Sequence, residues 1–343
     1  MMAGTVLMAG FAAFLAVLYP SFACADDGFG AGSFTVQFEN DRIANTDRHY
    51  THGSRLSWTS EEFDKPPEQA SWLPGAINPF GENGTWRTAV AVGQNIYTPE
   101  NIADPALIVD DRPYAGWLYA GFSLFNEQRP HPNTRGWDSL NTLEMDIGIV
   151  GPQAYAEDVQ TMVHQHINVT RPNGWDHQLK TEPGVALLYE WKLRKRITDN
   201  INPEGFSLDL LPHSGLSVGN VDTHAKLGAM VRAGYNVPDD FGPPHIRPNV
   251  SGPGYVDSID DLGFYVFVGG EQRIIGRNIF LDGNTFADSH SVDKRLLVGD
   301  FQFGAAIILG RMTLAYSHVF RTREFNGQTQ PDRFGAFSLS FNL

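Results

Sequence analysis

The stretch Leu143-Glu144-Met145-Asp146-Ile147-Gly148-Ile149 alternates apolar residues with polar or small ones at every position. A period of two places the apolar side chains on one face of an extended strand and the others on the opposite face. The non-apolar face carries two carboxylates, Glu144 and Asp146. Charges in this arrangement suit the polar interior of a membrane barrel better than an ordinary protein surface, so the stretch favours a transmembrane strand.

The same alternation recurs along the chain and predicts twelve strands. It is clear at Phe34–Phe38, at Leu56–Trp58 and at Phe337–Leu343, where the aromatic spacing is typical of outer-membrane barrels. The seventh strand is the weakest because Pro212 and Gly215 interrupt it. An even number suits a bacterial barrel, so we predict an all-β fold, a transmembrane antiparallel β-barrel with a short helix in an extracellular loop. The predicted strands are 33–42, 51–60, 86–95, 114–126, 139–150, 184–194, 205–220, 223–235, 262–277, 293–308, 311–321 and 332–343.

Composition excludes several classes of protein. The chain has 343 residues, 42% apolar, one cysteine and a net charge of -14. This acidity argues against a nucleic-acid partner, and the single cysteine excludes a disulfide-stapled scaffold. After residue 25 no apolar run approaches the roughly 20 residues of a helical membrane span. A soluble periplasmic β-sandwich would show a similar composition and alternation, and it is the alternative to the barrel.

The first 25 residues predict export. An apolar run from Met8 to Phe22 ends at Ala23-Cys24-Ala25, which resembles a signal-peptide cleavage site. A lipoprotein anchor at Cys24 is the alternative. We therefore expect a signal peptide over 1–25, a single barrel domain over 26–343, and an outer-membrane location in a Gram-negative cell.

An even strand count places both ends of the barrel in the periplasm, so the connections after odd-numbered strands are extracellular. Most of the long connections fall on that side, as expected. The exception is 236–261, a Pro- and Gly-rich connection that would be unusually long for the periplasmic side and for which the sequence indicates no function. The predicted extracellular connections are 43–50, 96–113, 151–183, 221–222, 278–292 and 322–331.

Polar residues mark the extracellular rim of the first two strands. Asn40 and Asp41 close the first predicted strand, and Thr51 opens the second. Turn chemistry alone could explain these residue types. Adjacent residues of a regular strand face opposite sides, so Asn40 and Asp41 can serve one site only at a strand end or a bulge.

The connection 151–183 contains a predicted helix over Gln153–Ile167. His164 lies on the polar face of this helix, together with Gln160 and Glu157. An exposed surface histidine is the simpler interpretation, but the loop shares the extracellular side with Asn40 and Thr51. The apolar stripe of the helix comprises Val159, Met162, Val163 and Ile167.

Seven motifs, in this order and spacing, resemble the outer-membrane lipid A 3'-O-deacylase family, and they span about residues 34–190. The motifs are Phe38-Glu39-Asn40-Asp41, Asp47-Arg48-His49-Tyr50-Thr51-His52-Gly53, Asn95-Ile96-Tyr97-Thr98-Pro99, Asp111-Arg112-Pro113-Tyr114-Ala115-Gly116, Gly148-Ile149-Val150-Gly151-Pro152, Val159-Gln160 with His164, and Gly174-Trp175-Asp176-His177-Gln178.

The resemblance implies a calcium-dependent hydrolase that removes the 3'-linked acyloxyacyl group of lipid A in the outer leaflet. The family's catalytic histidine falls on His164, its Asn-Asp pair on Asn40 and Asp41, and its rim hydroxyl on Thr51. Asp41 and Thr170 are then the expected calcium ligands. The family has a glutamate six residues after the histidine, where this chain has Thr170, a neutral and weaker oxygen ligand. Glu157, Asp158 and Asp176 are the acidic residues that could compensate.

The expected mechanism is hydrolysis by a water molecule that His164 activates as general base. A divalent cation at Asp41 would polarise the ester carbonyl, Asn40 would donate to the oxyanion, and Thr51 would orient the site. Lipopolysaccharide is the expected partner, with no nucleic acid and no obligate protein partner. Two alternatives remain, a phospholipase-type hydrolase and a non-enzymatic channel or structural barrel.

Overall fold

The structure is a computed structural model that describes residues 32–44, 49–66, 80, 84–130, 136–197, 205–246, 255 and 262–343. The predicted signal peptide over 1–25 lies outside these ranges, as do residues 247–254 and 256–261 of the Pro-rich connection. Among the described residues, no helix has the length and apolar character needed to cross a membrane.

Twelve antiparallel strands form one closed barrel, in which each strand pairs with its neighbours in the sequence and β1 pairs with β12. This confirms the predicted fold class and strand number. The strands are β1 Ser33–Asn40, β2 His49–Thr59, β3 Thr85–Thr98, β4 Ala115–Gln128, β5 Asp138–Val150, β6 Glu182–Arg196, β7 Phe206–Gly219, β8 Asp222–Tyr235, β9 Leu262–Asn278, β10 Leu297–Leu309, β11 Met312–Arg321 and β12 Asp332–Asn342.

The seam between β1 and β12 closes the barrel and shows its two faces. Phe38 is opposite Phe337, and both are about two-fifths exposed on the outer side. Thr35 is opposite Ser340, and their hydroxyls form a buried hydrogen bond of 2.8 Å on the inner side. The alternation in the sequence therefore separates a lipid-facing exterior from a polar interior.

Two strands differ from the sequence-based expectation. Strand β7 is continuous through Pro212, but its pairing with β6 has a gap between the pairs Lys192/His213 and Lys195/Leu210. Proline has no N–H to donate to the ladder, which explains the gap. Strand β10 begins at Leu297 instead of 293. The structure has two α-helices among the described residues: α1 spans Ala156–His166, and the one-turn helix α2 spans Ile279–Asp282 in the connection before β10.

Charged side chains inside the barrel are paired across it. Arg55 Nη1 donates to Glu144 Oε1 at 3.0 Å, and Ser123 Oγ donates to Glu144 Oε2 at 2.8 Å. Arg273 and Arg321 both form ion pairs with Asp300. A buried charge without a partner destabilises the fold, so charged side chains can fill the lumen only because they form these ion pairs. The polar interior predicted from Glu144 and its neighbours is confirmed.

Residues 236–246, which we call the lumen strap, follow β8 and fold back into the barrel. Asp240 pairs with Arg232, an inward residue of β8. His245 lies 2.9 Å from Ser317 Oγ on β11, and the Ile246 N–H donates to Glu39 Oε1 at 2.9 Å. The described first part of the Pro-rich connection, residues 236–246, thus lies in the lumen.

We predict that Glu144→Ala destabilises the barrel by about 3–5 kcal/mol, because Arg55 is then left buried without its carboxylate. Urea unfolding of the protein in lipid vesicles measures this change. Glu61→Ala, which removes an exposed carboxylate after β2, is the control and is expected to change stability by less than about 0.5 kcal/mol. Equal stability of the two variants would contradict the prediction.

Candidate active site

Strand β1 ends at Asn40, and Asp41 begins a turn of 3-10 helix over Asp41–Ala44. The turn packs on the outer side of β12, where a Cβ on Gly335 would lie 2.3 Å from Ile43 Cγ2. Asp41 is 1% exposed. Because the strand ends between the two residues, Asn40 and Asp41 need not face opposite sides of the wall, which removes the geometric conflict expected from the sequence.

Asn40 and Thr51 are brought together across the rim. The Asn40 side-chain Nδ2 donates to the Thr51 carbonyl at 2.8 Å, and its Oδ1 accepts from the Arg42 N–H at 2.9 Å. The ladder between β2 and β3 is irregular between Tyr50 and His52, so Thr51 occupies a bulge. Its hydroxyl lies 2.8 Å from the hydroxyl of Thr98 on β3. These bonds hold the Asn40 amide in one orientation.

Helix α1 lies on the exterior of the barrel wall. Gly116 occupies an outward position of β4, and a Cβ there would lie 2.5 Å from Ala156 Cβ and 3.0 Å from Ala154 Cβ. Gln94, an outward residue of β3, donates from Nε2 to the Ala154 carbonyl at 2.6 Å. The predicted helix is therefore present, preceded by a 3-10 turn at Pro152–Ala154, and it rests on the extracellular ends of β3 and β4.

His164 is 3% exposed, so the interpretation of it as an exposed surface residue is wrong. Its Nδ1 lies 2.6 Å from the Thr170 carbonyl oxygen. One turn earlier on the same side, Gln160 Oε1 accepts from Trp175 Nε1 at 3.0 Å. Of the predicted polar face, Gln160 and His164 are buried and have hydrogen-bond partners in the loop of the helix, whereas Glu157 is exposed.

The predicted site residues form two groups. The strand group is Asn40 bonded to Thr51, with the buried Asp41 next to Asn40 in the chain, and the other is His164 with the Thr170 carbonyl. A single row of paired residues connects the strand group to the helix: Asn40 is opposite His52, His52 opposite Ile96, and Ile96 opposite Gly116. Three strand spacings make this row about 14 Å long. Ile96 packs with Ala156 of α1.

The acidic and histidine side chains that the described residues bring together bear on whether the chain can hold a metal ion. The described residues contain no group of three or more histidine, cysteine or acidic side chains that could hold a metal ion. Thr170 contributes its carbonyl to His164, and its side chain is exposed. Glu157, Asp158 and Asp176 are exposed as well, which gives no support for compensation at Thr170. Asp41 is the one buried carboxylate among the candidates for calcium.

Sequence reasoning missed a buried cluster that anchors the loop before β4. His49 Nε2 lies 3.4 Å from Asp111, and its Nδ1 lies 2.7 Å from Asp332. Arg112 is fully buried and pairs with Glu324 at 3.1 Å. Burial raises the pKa of Asp111, but the bond from His49 and backbone N–H groups outweigh it, so its pKa is lowered. The two motifs quoted above that begin with Asp-Arg contain three of these residues, His49, Asp111 and Arg112.

The same balance holds at Glu324, where Arg112 and Arg321 overcome the effect of burial and lower the pKa of the carboxyl. The anchored loop continues to Tyr114, whose ring contacts Trp175 with centroids 4.8 Å apart. Trp175 in turn bonds Gln160 of α1. The cluster thus supports the position of the helix from the extracellular side.

A family model described as "Outer membrane protein LpxR" matches residues 9–343. The chain belongs to the LpxR family. Its barrel is therefore that of an outer-membrane protein, as the alternation predicted. The structure of LpxR from Salmonella typhimurium matches with a TM-score of 0.70 and 19% identity, over 91% of this chain and all of that one.

Other barrels are less similar to this LpxR-family chain. The β domain of the Bordetella autotransporter BrkA matches with a TM-score of 0.42 and 10% identity, over 91% of this chain and 99% of that one. Curated protein sequences yield no match.

We predict that Gly116→Leu displaces α1, since the added side chain would occupy the space of the Ala154 and Ala156 methyl groups. Hydrogen exchange of the α1 amides measures the change and is expected to become faster by at least tenfold, which corresponds to about 1.4 kcal/mol. The control is Ala120→Leu, which enlarges a side chain on the outer side of the same strand, four residues from Gly116. If the α1 amides of Gly116→Leu exchanged at the native rate, the packing of α1 on Gly116 would be contradicted.

Proposed function

We propose that this protein is a lipid A deacylase of the outer membrane, which hydrolyses the ester of the 3'-linked acyloxyacyl group. The observation that carries the proposal is the position of His164, buried between α1 and its loop on the exterior of the barrel. A site on the outer side of the wall meets membrane lipids. Membership of the LpxR family supports the same activity.

The contact of His164 supports its role as general base. A carbonyl oxygen only accepts hydrogen bonds, so the Nδ1 atom 2.6 Å from Thr170 O is assigned the proton. The Nε2 atom then has a free lone pair. In the proposed reaction Nε2 takes a proton from water, the hydroxide attacks the ester carbonyl, and the same proton passes to the leaving 3'-oxygen. The products are a free fatty acid and a free hydroxyl.

Asn40 is suited to stabilise the oxyanion. One N–H of its Nδ2 is used by the Thr51 carbonyl, and the second is available to a negatively charged oxygen. The bond from Arg42 to Oδ1 prevents rotation of the amide. Donors held in place before the reaction lower its barrier more than mobile ones. Thr51, bonded to Thr98, fixes the bulge on which this geometry depends.

Calcium is proposed with Asp41 as its carboxylate ligand. Calcium prefers six to eight oxygen ligands, and carbonyl and amide oxygens count among them. The described residues contain no group of three or more histidine, cysteine or acidic side chains around one point, so neutral oxygen atoms would have to complete the coordination of Asp41. When bound, the cation would polarise the ester carbonyl, and the steps above are assigned only to the chain's own residues.

The occupied lumen favours a hydrolase over a channel. The lumen strap and the paired charges fill the interior, from Arg232 near the periplasmic end to Glu39 beside the site. Lipopolysaccharide is the proposed substrate, and phospholipid is the competing ester substrate that the assay must include.

We predict that His164→Ala and Asp41→Ala abolish deacylation but leave a folded barrel. Loss of a general base typically lowers the rate by about 10²–10⁴-fold. The measurement is mass spectrometry of lipid A from cells that express each variant, with released fatty acids from phospholipid quantified in parallel. Folding is checked by heat-modifiable mobility in electrophoresis.

Gln165→Ala is the matched control, because Gln165 follows His164 on the same helix and is exposed. It is expected to retain full activity. Deacylation at the native level in His164→Ala would rule out the proposed base, and fatty acid release from phospholipid alone would assign the protein to the phospholipase alternative.

A second prediction concerns the cation. Removal of calcium with EGTA is expected to reduce activity of the purified protein at least tenfold, and added calcium is expected to restore it. Asp41→Asn should raise the calcium concentration needed for half-maximal activity, because a neutral amide is a weaker ligand than a carboxylate. Full activity in EGTA would remove calcium from the proposal.

A further inference from the structure

Helix α1 has an exposed apolar flank. Met162 is 59% exposed and Val163 42%, and Ile167 just after the helix is 49% exposed. Val159 lies between them and is partly buried against the wall. The opposite flank is polar; it comprises the exposed Glu157, Asp158 and Gln165 and the half-buried Thr161. The buried side, with Gln160 and His164, lies between the two flanks.

The helix is outside the barrel, where its neighbours are the components of the membrane. Its start covers Gly116, an outward position of β4, and the preceding turn is bonded to the outward Gln94. Further along β4, Leu118 and Phe122 share this outward side and are partly exposed. The helix therefore begins on the lipid-facing side of the wall, at its extracellular end.

A helix that rests on a wall in this way has one flank toward the membrane and the other toward water. The separation of apolar and polar residues between the two flanks of α1 matches that environment. His166 is the one polar side chain on the apolar flank, and it lies in the last turn of the helix. An apolar flank turned to water instead would expose three large side chains without a partner, which is unfavourable.

We propose that α1 is an interfacial helix whose apolar flank is embedded among the acyl chains of the outer leaflet. The occupant of the flank is thus lipid hydrocarbon rather than another protein. This placement holds His164 at the depth where the ester bonds of membrane lipids lie. The proposal goes beyond the deacylase activity and does not depend on it.

Site-directed spin labelling tests the proposal on the full chain in phosphatidylcholine vesicles. Cys24→Ser removes the native cysteine, and Met162→Cys, Val163→Cys and Gln165→Cys each provide one labelling site. Power saturation compares accessibility to oxygen, which concentrates in lipid, with accessibility to a water-soluble nickel complex. Heat-modifiable mobility checks that each labelled barrel is folded, and the two apolar positions serve as replicates.

We expect a ratio of oxygen to nickel accessibility several-fold higher at positions 162 and 163 than at position 165. Equal nickel accessibility at all three positions would overturn the proposal, since the apolar flank would then face water. Labels at 162 and 163 that neither reagent reaches, with spin coupling lost on dilution with unlabelled protein, would also overturn it and identify a second copy of the chain as the occupant.

Discussion

A chain that crosses hydrocarbon must pair every backbone N–H and C=O group within itself, and the seam between β1 and β12 satisfies this requirement here. Closure leaves no free strand edge, but it encloses an interior that must also be filled. Because each strand presents alternate residues to the two sides, the lipid-facing residues determine which positions point inward. The interior then carries charged side chains such as Arg55 and Glu144, whose burial is tolerated only because they form an ion pair.

The candidate site lies where this regular geometry ends. Asn40 is the last residue of β1, Thr51 lies in a bulge of β2, and α1 rests on the wall at Gly116. In a regular strand, neighbouring side chains point to opposite sides of the barrel wall. The end of β1 and the bulge at Thr51 therefore depart from that alternation, and the Asn40 amide bonds the Thr51 carbonyl there.

Much of the fold could be predicted because the alternation of a barrel strand is a local property of the sequence. The same reasoning placed Asn40, Asp41 and Thr51 at the rim, and it identified the helix that contains His164. It could not show which side of that helix is buried, since this depends on the wall and on Trp175, which is distant in sequence from Gln160. The contact between His49 and Asp332 and the inward path of the lumen strap were missed for the same reason: both join segments far apart in the chain.

The lumen strap also supports the barrel wall from inside. Its Asp240 is held by Arg232 and its Ile246 by Glu39, so the chain itself braces the barrel from within. Glu39 immediately precedes Asn40 on β1, so this support from inside the barrel reaches the strand end that carries Asn40.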